Sequence, residues 1–153
     1  MNIREPEWHQ RREHPGYRAR RSKMGEQAGS RLTGLSVWDI EPGQKAYPYH
    51  WHVGEEEWIL VTAGTPTLRT PAGRRTLAEG EVIFFPLGEE GAHQVINETG
   101  EPVRFLSFSN LAAAEACFYP DSGKVGVYED QAGGGGFAQR FRIADAVDYY
   151  EGE

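Results

Sequence analysis

Only one cysteine, Cys117, occurs in the 153 residues, so no disulfide can staple this chain internally. That suits a reducing compartment, and the apolar neighbours Ala116 and Phe118 point to a packed, inert thiol rather than a nucleophile. No apolar run approaches the ~18 residues of a membrane span, and the first thirty residues are polar and arginine-rich where a secretory leader would be apolar. The chain is therefore expected to be cytoplasmic, with no membrane partner. An excess of positive charge is missing too. Sixteen Lys and Arg face 23 Asp and Glu, for a net charge of −7, which argues against nucleic acid as a partner. What is present is 39% apolar, 12% aromatic and 25% charged residues, a globular composition long enough for one domain to bury its core unaided. Any metal is then expected to serve chemistry rather than folding.

The charge is unevenly spread. Residues 1–31 hold eight Lys or Arg against four Glu, net +4, which leaves −11 for the remainder. With Pro6, Pro15, Gly16, Gly25 and Gly29 interrupting any period, this basic arm reads as an irregular, solvated extension. The competing reading is an arm laid across the acidic body of its own chain or of a twin subunit.

From residue 32 to 110 the texture changes to short runs of strand character separated by turn residues. The runs are 35–41, 46–53, 57–63, 67–70, 75–77, 81–85, 93–97 and 103–110, broken at Pro42-Gly43, Gly64, Pro71-Ala72-Gly73, Gly80, Pro86-Leu87-Gly88 and Gly100. So many short strands in one domain predict an all-β sandwich or barrel. Residues 111–153 read as a C-terminal extension: one helical turn over 111–116, a glycine linker at 133–136, and a helical or mixed segment over 137–150.

Chemistry concentrates in a few positions of the β region. His50 and His52 are two apart, and in a strand such residues project from one face about 7 Å apart along the backbone, a spacing that lets two imidazoles meet one ion. Alternation along the next run puts Glu57 on a face with Ile59, Val61 and Ala63, where a carboxylate needs a cation. His93 lies on a later run, sharing its face with Val95 and Asn97. Three neutral imidazoles and a carboxylate suit one divalent transition metal ion (Fe, Mn, Ni, Cu or Zn) with positions left open. His9 and His14 in the arm, and Glu55 and Glu56 before the strand, are weaker ligand candidates.

The framing of these residues is specific. Gly43 is followed after six residues by His50-x-His52, then after four by Glu57 and after six by Gly64; Gly80 is followed after five by Pro86-x-Gly88, then after four by His93 and after three by Asn97. This frame resembles the two motifs of the cupin superfamily over residues 43–97, with a short intermotif length of fifteen residues. The spacing departs in two places, with one extra residue before His50 and two extra before His93, both in loops. Residues 119–124 and 148–153 resemble those of a group of small bacterial cupins sometimes labelled sugar-phosphate-isomerase-like.

The resemblance implies a double-stranded β-helix, or jelly-roll barrel, with His50, His52, Glu57 and His93 binding one metal inside. Tyr47, Tyr49 and Trp51 take the opposite parity from His50, so they are expected on an outer face, where such aromatics predict a homodimer. Expected pocket residues beside the ligands are Ile59, Val61, Val95 and Asn97, with Phe84 or Phe85 and Phe105 or Leu106 according to register. Of the basic residues in the body, Arg69 alone is placed to reach such a pocket, which weakens the sugar-phosphate label. Tyr49, Glu56 and Glu89 are the candidates for acid–base work at the mouth. The sequence thus predicts a metal-binding cupin acting as isomerase, lyase or dioxygenase on a small oxygenated, carbohydrate-like molecule, or a metal-assisted binding or sensing module without turnover.

Overall fold

The structure is a computed structural model that describes residues 1–129 and 136–153. Strand β1 (Gln10–His14) turns through Pro15 and Gly16 into β2 (Tyr17–Ser22), and Gly16 takes φ +81°, the left-handed geometry a tight turn requires. One helical turn, α1 (Met24–Gln27), leads to β3 (Thr33–Ile40). There follow β4 (Trp51–His52), β5 (Glu57–Ala63), β6 (Thr67–Thr70), β7 (Gly73–Thr76), β8 (Val82–Phe85), β9 (Gln94–Ile96) and β10 (Val103–Asn110). Beyond them lie β11 (Ala114–Tyr119), β12 (Lys124–Glu129) and β13 (Ala138–Arg142). No helix among the described residues is long and apolar enough to cross a membrane.

The strands form two layers. One is a six-stranded antiparallel sheet in the order β1-β2-β3-β10-β5-β8. The other is made of a four-stranded sheet, β13-β12-β11-β4, and a three-stranded sheet, β7-β6-β9, which meet through the bridge between His50 and His93. Alternation fills the space between them: Ile40, Ile59, Val61, Leu68, Phe85, Val95, Val103 and Phe105 pack as one buried cluster, while Trp58 and Phe108 on the opposite parity stay exposed. This is the double-stranded β-helix that the resemblance implies.

Several expectations are corrected. The basic arm is not irregular. It is a hairpin built into the large sheet, with β2 paired to β3 in the register Arg20↔Asp39 and Arg21↔Trp38. Its charge serves this docking, since Arg20 pairs with Asp39 at 2.8 Å. Nor does the barrel end at residue 110. Residues 111–116 enter a strand rather than a helical turn, because Glu115 and Cys117 alternate inward while β11 pairs with both β4 and β12. Residues 137–150 follow the mixed rather than the helical reading: β13 pairs with β12 and is followed by a single 3-10 turn over Ile143–Asp145. The expected strand over 46–53 shrinks to Trp51–His52 because Pro48 interrupts it. Of the expected glycine linker, residues 133–135 lie outside the described residues.

Candidate metal centre and its cavity

His50 precedes β4 and His93 precedes β9, and their backbones bond to each other in both directions, His50 N to His93 O at 3.2 Å and His93 N to His50 O at 2.9 Å. That bridge locks the two imidazoles side by side, with ring centroids 4.7 Å apart. Trp51 is the only residue between His50 and His52, whose rings lie 4.9 Å apart. Glu57 opens β5 on the inward parity, and its Oε2 stands 3.1 Å from His93 Nε2 and 3.7 Å from His52 Nε2.

The far nitrogen of each ring is held from behind. His50 Nδ1 lies 2.9 Å from Pro48 O, and His93 Nδ1 lies 2.9 Å from Gly91 O. A carbonyl only accepts, so Nδ1 carries the proton in both rings and Nε2 presents a lone pair inward. His52 Nδ1 faces Glu115 Oε1 at 3.4 Å. Glu115 is itself anchored by the backbone N–H groups of Val53 and Gly54, at 3.0 and 2.8 Å. Gly54 allows this approach, because a Cβ there would stand 2.8 Å from Glu115 Oε2. Such outer acceptors are what orient imidazoles for an ion.

Burial pushes the Glu57 carboxyl up, but contact with His93 and the electrostatic pull of the His93, His52 and His50 rings outweigh it and hold the group down, to about 2. Burial, reinforced by repulsion from His93 and His52, depresses His50 well below the usual imidazole range. The cluster thus consists of an ionised carboxylate and a histidine kept neutral, the protonation states a metal site demands. His93 Nε2 is buried and makes no aligned hydrogen bond; its contact with Glu57 has the distance of one without the geometry. Ligand atoms of His50, Glu57 and His93 all lie within 4.8 Å of one another, and so do those of His50, His52 and Cys117. Buried lone pairs without donors, grouped with one carboxylate, fit a divalent transition metal.

The cluster opens into a cavity of about 310 Å³, whose lining corrects much of the expected pocket. Ile59, Val61, Val95 and Phe105 are buried in the core and none lines the cavity. Phe84 points outward against Trp58; its neighbour Phe85 is the inward residue, stacked on His93 with centroids 3.8 Å apart. Asn97 is structural, since its amide donates to Ile40 O and Glu101 O and accepts from Thr99. Arg69 lies outside, pairing with Asp121 and covering the Tyr49 ring at 4.0 Å. The three acid–base candidates also miss the cavity: Tyr49 is buried beneath Arg69, while Glu56 and Glu89 are exposed.

Tyr47 is corrected in the opposite direction. Pro48 shifts the alternation, so Tyr47 faces inward with its ring 4.9 Å from that of His50 and its buried hydroxyl without a partner among the described residues. Tyr49 is buried and Trp51 stacks on Phe118, which removes the aromatic outer patch expected of these three. Residues that line the cavity without having been expected there include Arg12, Arg21, Ser36, Glu55, Ser107, Glu115, Cys117, Tyr119, Tyr128 and Arg140. Glu55 accepts from Ala112 N, and burial lifts its carboxyl to about 7. Burial also pushes the Cys117 thiol up to about 12, in keeping with an inert thiol even though it faces the cavity. The alternation Glu115, Cys117, Tyr119 was the one legible sign that β11 belongs to the site.

Comparison with known proteins agrees with this fold. The cupin domain family matches residues 36–109. A cupin-superfamily sugar phosphate isomerase structure from Silicibacter pomeroyi is 23% identical, with a TM-score of 0.76 over 86% of this chain and 81% of its own. A structure from Acidithiobacillus ferrooxidans, provisionally named a sugar phosphate isomerase, is 25% identical with a TM-score of 0.78, covering 95% and 90%. The polyketide cyclase RemF from Streptomyces resistomycificus is 24% identical with a TM-score of 0.61, covering 72% and 77%. No curated protein matches the sequence.

Proposed function

We propose, from the match of the cupin domain family to residues 36–109, that the chain is a cupin and a metal-dependent enzyme on a small, hydroxylated organic molecule, its ion held by His50, His52, Glu57 and His93. The observation that carries this reading is the buried, donor-free His93 Nε2 beside an ionised Glu57, which with His50 and His52 lines a cavity of about 310 Å³. A divalent ion held by these four residues would supply Lewis acidity toward a substrate oxygen.

The remaining chemistry belongs to the chain's own groups. With its carboxyl near 7, Glu55 exchanges a proton readily at neutral pH, which suits isomerase or lyase chemistry. The hydroxyls of Tyr119 and Tyr128 lie 2.7 Å apart on the cavity wall, and burial keeps Tyr119 protonated as a donor. Ser36 and Ser107 add hydroxyls on the facing sheet. A wall rich in hydroxyls suits a polyol, and the names carried by the Silicibacter and Acidithiobacillus relatives favour a sugar derivative over a dioxygenase substrate.

The test is to reconstitute the protein with Mn, Fe or Zn and follow aldose and ketose phosphates and hydroxy acids by NMR. Turnover that disappears in His93→Ala supports the enzyme; binding without turnover by any metal form replaces it with a ligand-binding module. The homodimer is proposed on a different surface from the one the sequence suggested. Trp58, Phe84 and Phe108 lie exposed together on the outer face of the large sheet, and Trp58→Glu is expected to halve the mass measured by light scattering.

A further inference from the structure

One face of the large sheet carries a polar lane from the metal cluster to the N-terminal hairpin. Glu57 on β5 is opposed by Ser109 on β10, Ser107 is opposed by Ser36 on β3, and Trp38 is opposed by Arg21 on β2, which in turn faces Gln10, two residues from Arg12 on β1. All of these residues share the inward parity and line the cavity. From β5 to β2 is three strand spacings, about 14 Å of backbone separation.

At the far end stand two guanidiniums whose partners are all neutral. Arg12 donates from Nη1 to Ala46 O at 2.9 Å, and Arg21 donates from Nε to Ser36 Oγ at 2.9 Å. Both lie over the Trp38 ring, at 4.8 and 5.1 Å from its centroid. Every arginine of the hairpin that points outward and pairs does so with a carboxylate, as Arg18 does with Glu41 and Arg20 with Asp39. Arg12 and Arg21 have no such partner among the described residues. Half-burying two cations side by side is costly unless an anion joins them. Burial disfavours the charged form of each, and for Arg12 the charge of Arg21 adds to it.

We propose that Arg12 and Arg21 form an oxyanion clamp that holds the phosphate or carboxylate of the substrate at the end of the cavity opposite the histidines. The proposal rests on reading the cavity as the substrate site, and it makes the N-terminal hairpin a specificity element rather than a tail. The two arginines keep free N–H groups after their neutral bonds, both lie over the Trp38 ring, and a planar fork is the geometry that grips an oxyanion through paired bonds. Ser36, which fixes Arg21, and Ser107 lie between the clamp and the histidines, where the hydroxylated part of such a molecule would rest.

The experiment is calorimetric titration of the full chain with inorganic phosphate and, separately, with acetate, against chloride at matched ionic strength. It is run on the protein as purified and again after chelator dialysis, with metal content measured on each sample. Saturable binding that survives chelation and weakens at least tenfold in Arg12→Gln and Arg21→Gln is the expected result; phosphate or acetate as the tighter ligand names the group recognised. Arg74→Gln, on the exposed β7 and outside the cavity lining, should stay within about threefold. Should a glutamine variant fail to fold, Arg21→Lys keeps the charge without the fork and is expected to bind severalfold more weakly. Failure of both anions to bind, or equal binding by the wild type and both glutamine variants, overturns the clamp even if metal is present. Anion binding lost in the variants of a protein that holds no metal would leave the clamp standing and remove the metal-dependent reading.

Discussion

At the histidine end of the cavity, the ionisable groups are fixed by the backbone of the barrel itself: His50 and His93 bond across a bridge, and Pro48 O, Gly91 O and Glu115 hold the rings from behind. At the arginine end, two long side chains rest on one indole and are held by a carbonyl and a hydroxyl. The first end presents lone pairs and a carboxylate, the second presents N–H donors and positive charge. One cavity thus asks for a cation at one end and an anion at the other. A neutral apolar ligand would leave both ends uncompensated.

The contrast predicts different consequences of substitution at the two ends. The largest effect is expected at Phe85, which is 4% exposed and stacked on His93. Phe85→Ala should cost about 3–5 kcal/mol and lower Tm by roughly 6–20 °C in calorimetry, and a loss under about 1 kcal/mol would mean the histidine end is not braced by packing. Next comes Glu115→Gln, which exchanges one of two acceptor oxygens for a donor facing Gly54 N. Metal affinity should fall about 10–100-fold in a competition titration with a chromogenic chelator; unchanged affinity would show that His52 needs no support from behind.

Trp38→Phe acts at the other end. It removes the larger ring beneath both guanidiniums and the Trp38 indole bond to Ser107, and is expected to cost about 1–2 kcal/mol with metal content unchanged. Loss of metal in this variant would show that the two ends are not separable. Smallest is the response of Cys117. With the thiol pushed up to about 12, the thiolate fraction at pH 8 is roughly 10⁻⁴, so iodoacetamide should leave the folded protein unmodified by mass spectrometry and label it once unfolded. The folded-state value is raised above the unfolded one, so this group's contribution to stability is whole below about 9 and is lost as pH climbs toward 12. Prompt labelling at pH 8 would make Cys117 an open cavity group instead of a packed one.

The histidine end was readable in the sequence because its strands obey alternation with apolar neighbours: Glu57, Ile59 and Val61 share a parity, and so do the buried partners they pack against. The arginine end was not, for the same physical reason inverted. The inward residues of β1 and β2 include Gln10, Arg12 and Arg21, which face a wet cavity, so no apolar period marks the hairpin as strand. Tyr47 was misplaced because one proline resets parity between it and His50. The pocket was expected to be apolar because the residues flanking the ligands on their own strands are core, whereas the cavity wall comes from β1, β2, β3 and β11, far away in sequence.

The most direct test of a cavity built around a cation is elemental analysis of untagged protein beside its His93→Ala variant. About one transition-metal ion per chain in the wild type, and near none in the variant, is the predicted result. No metal in the wild type even after reconstitution, or equal metal in both proteins, would contradict it.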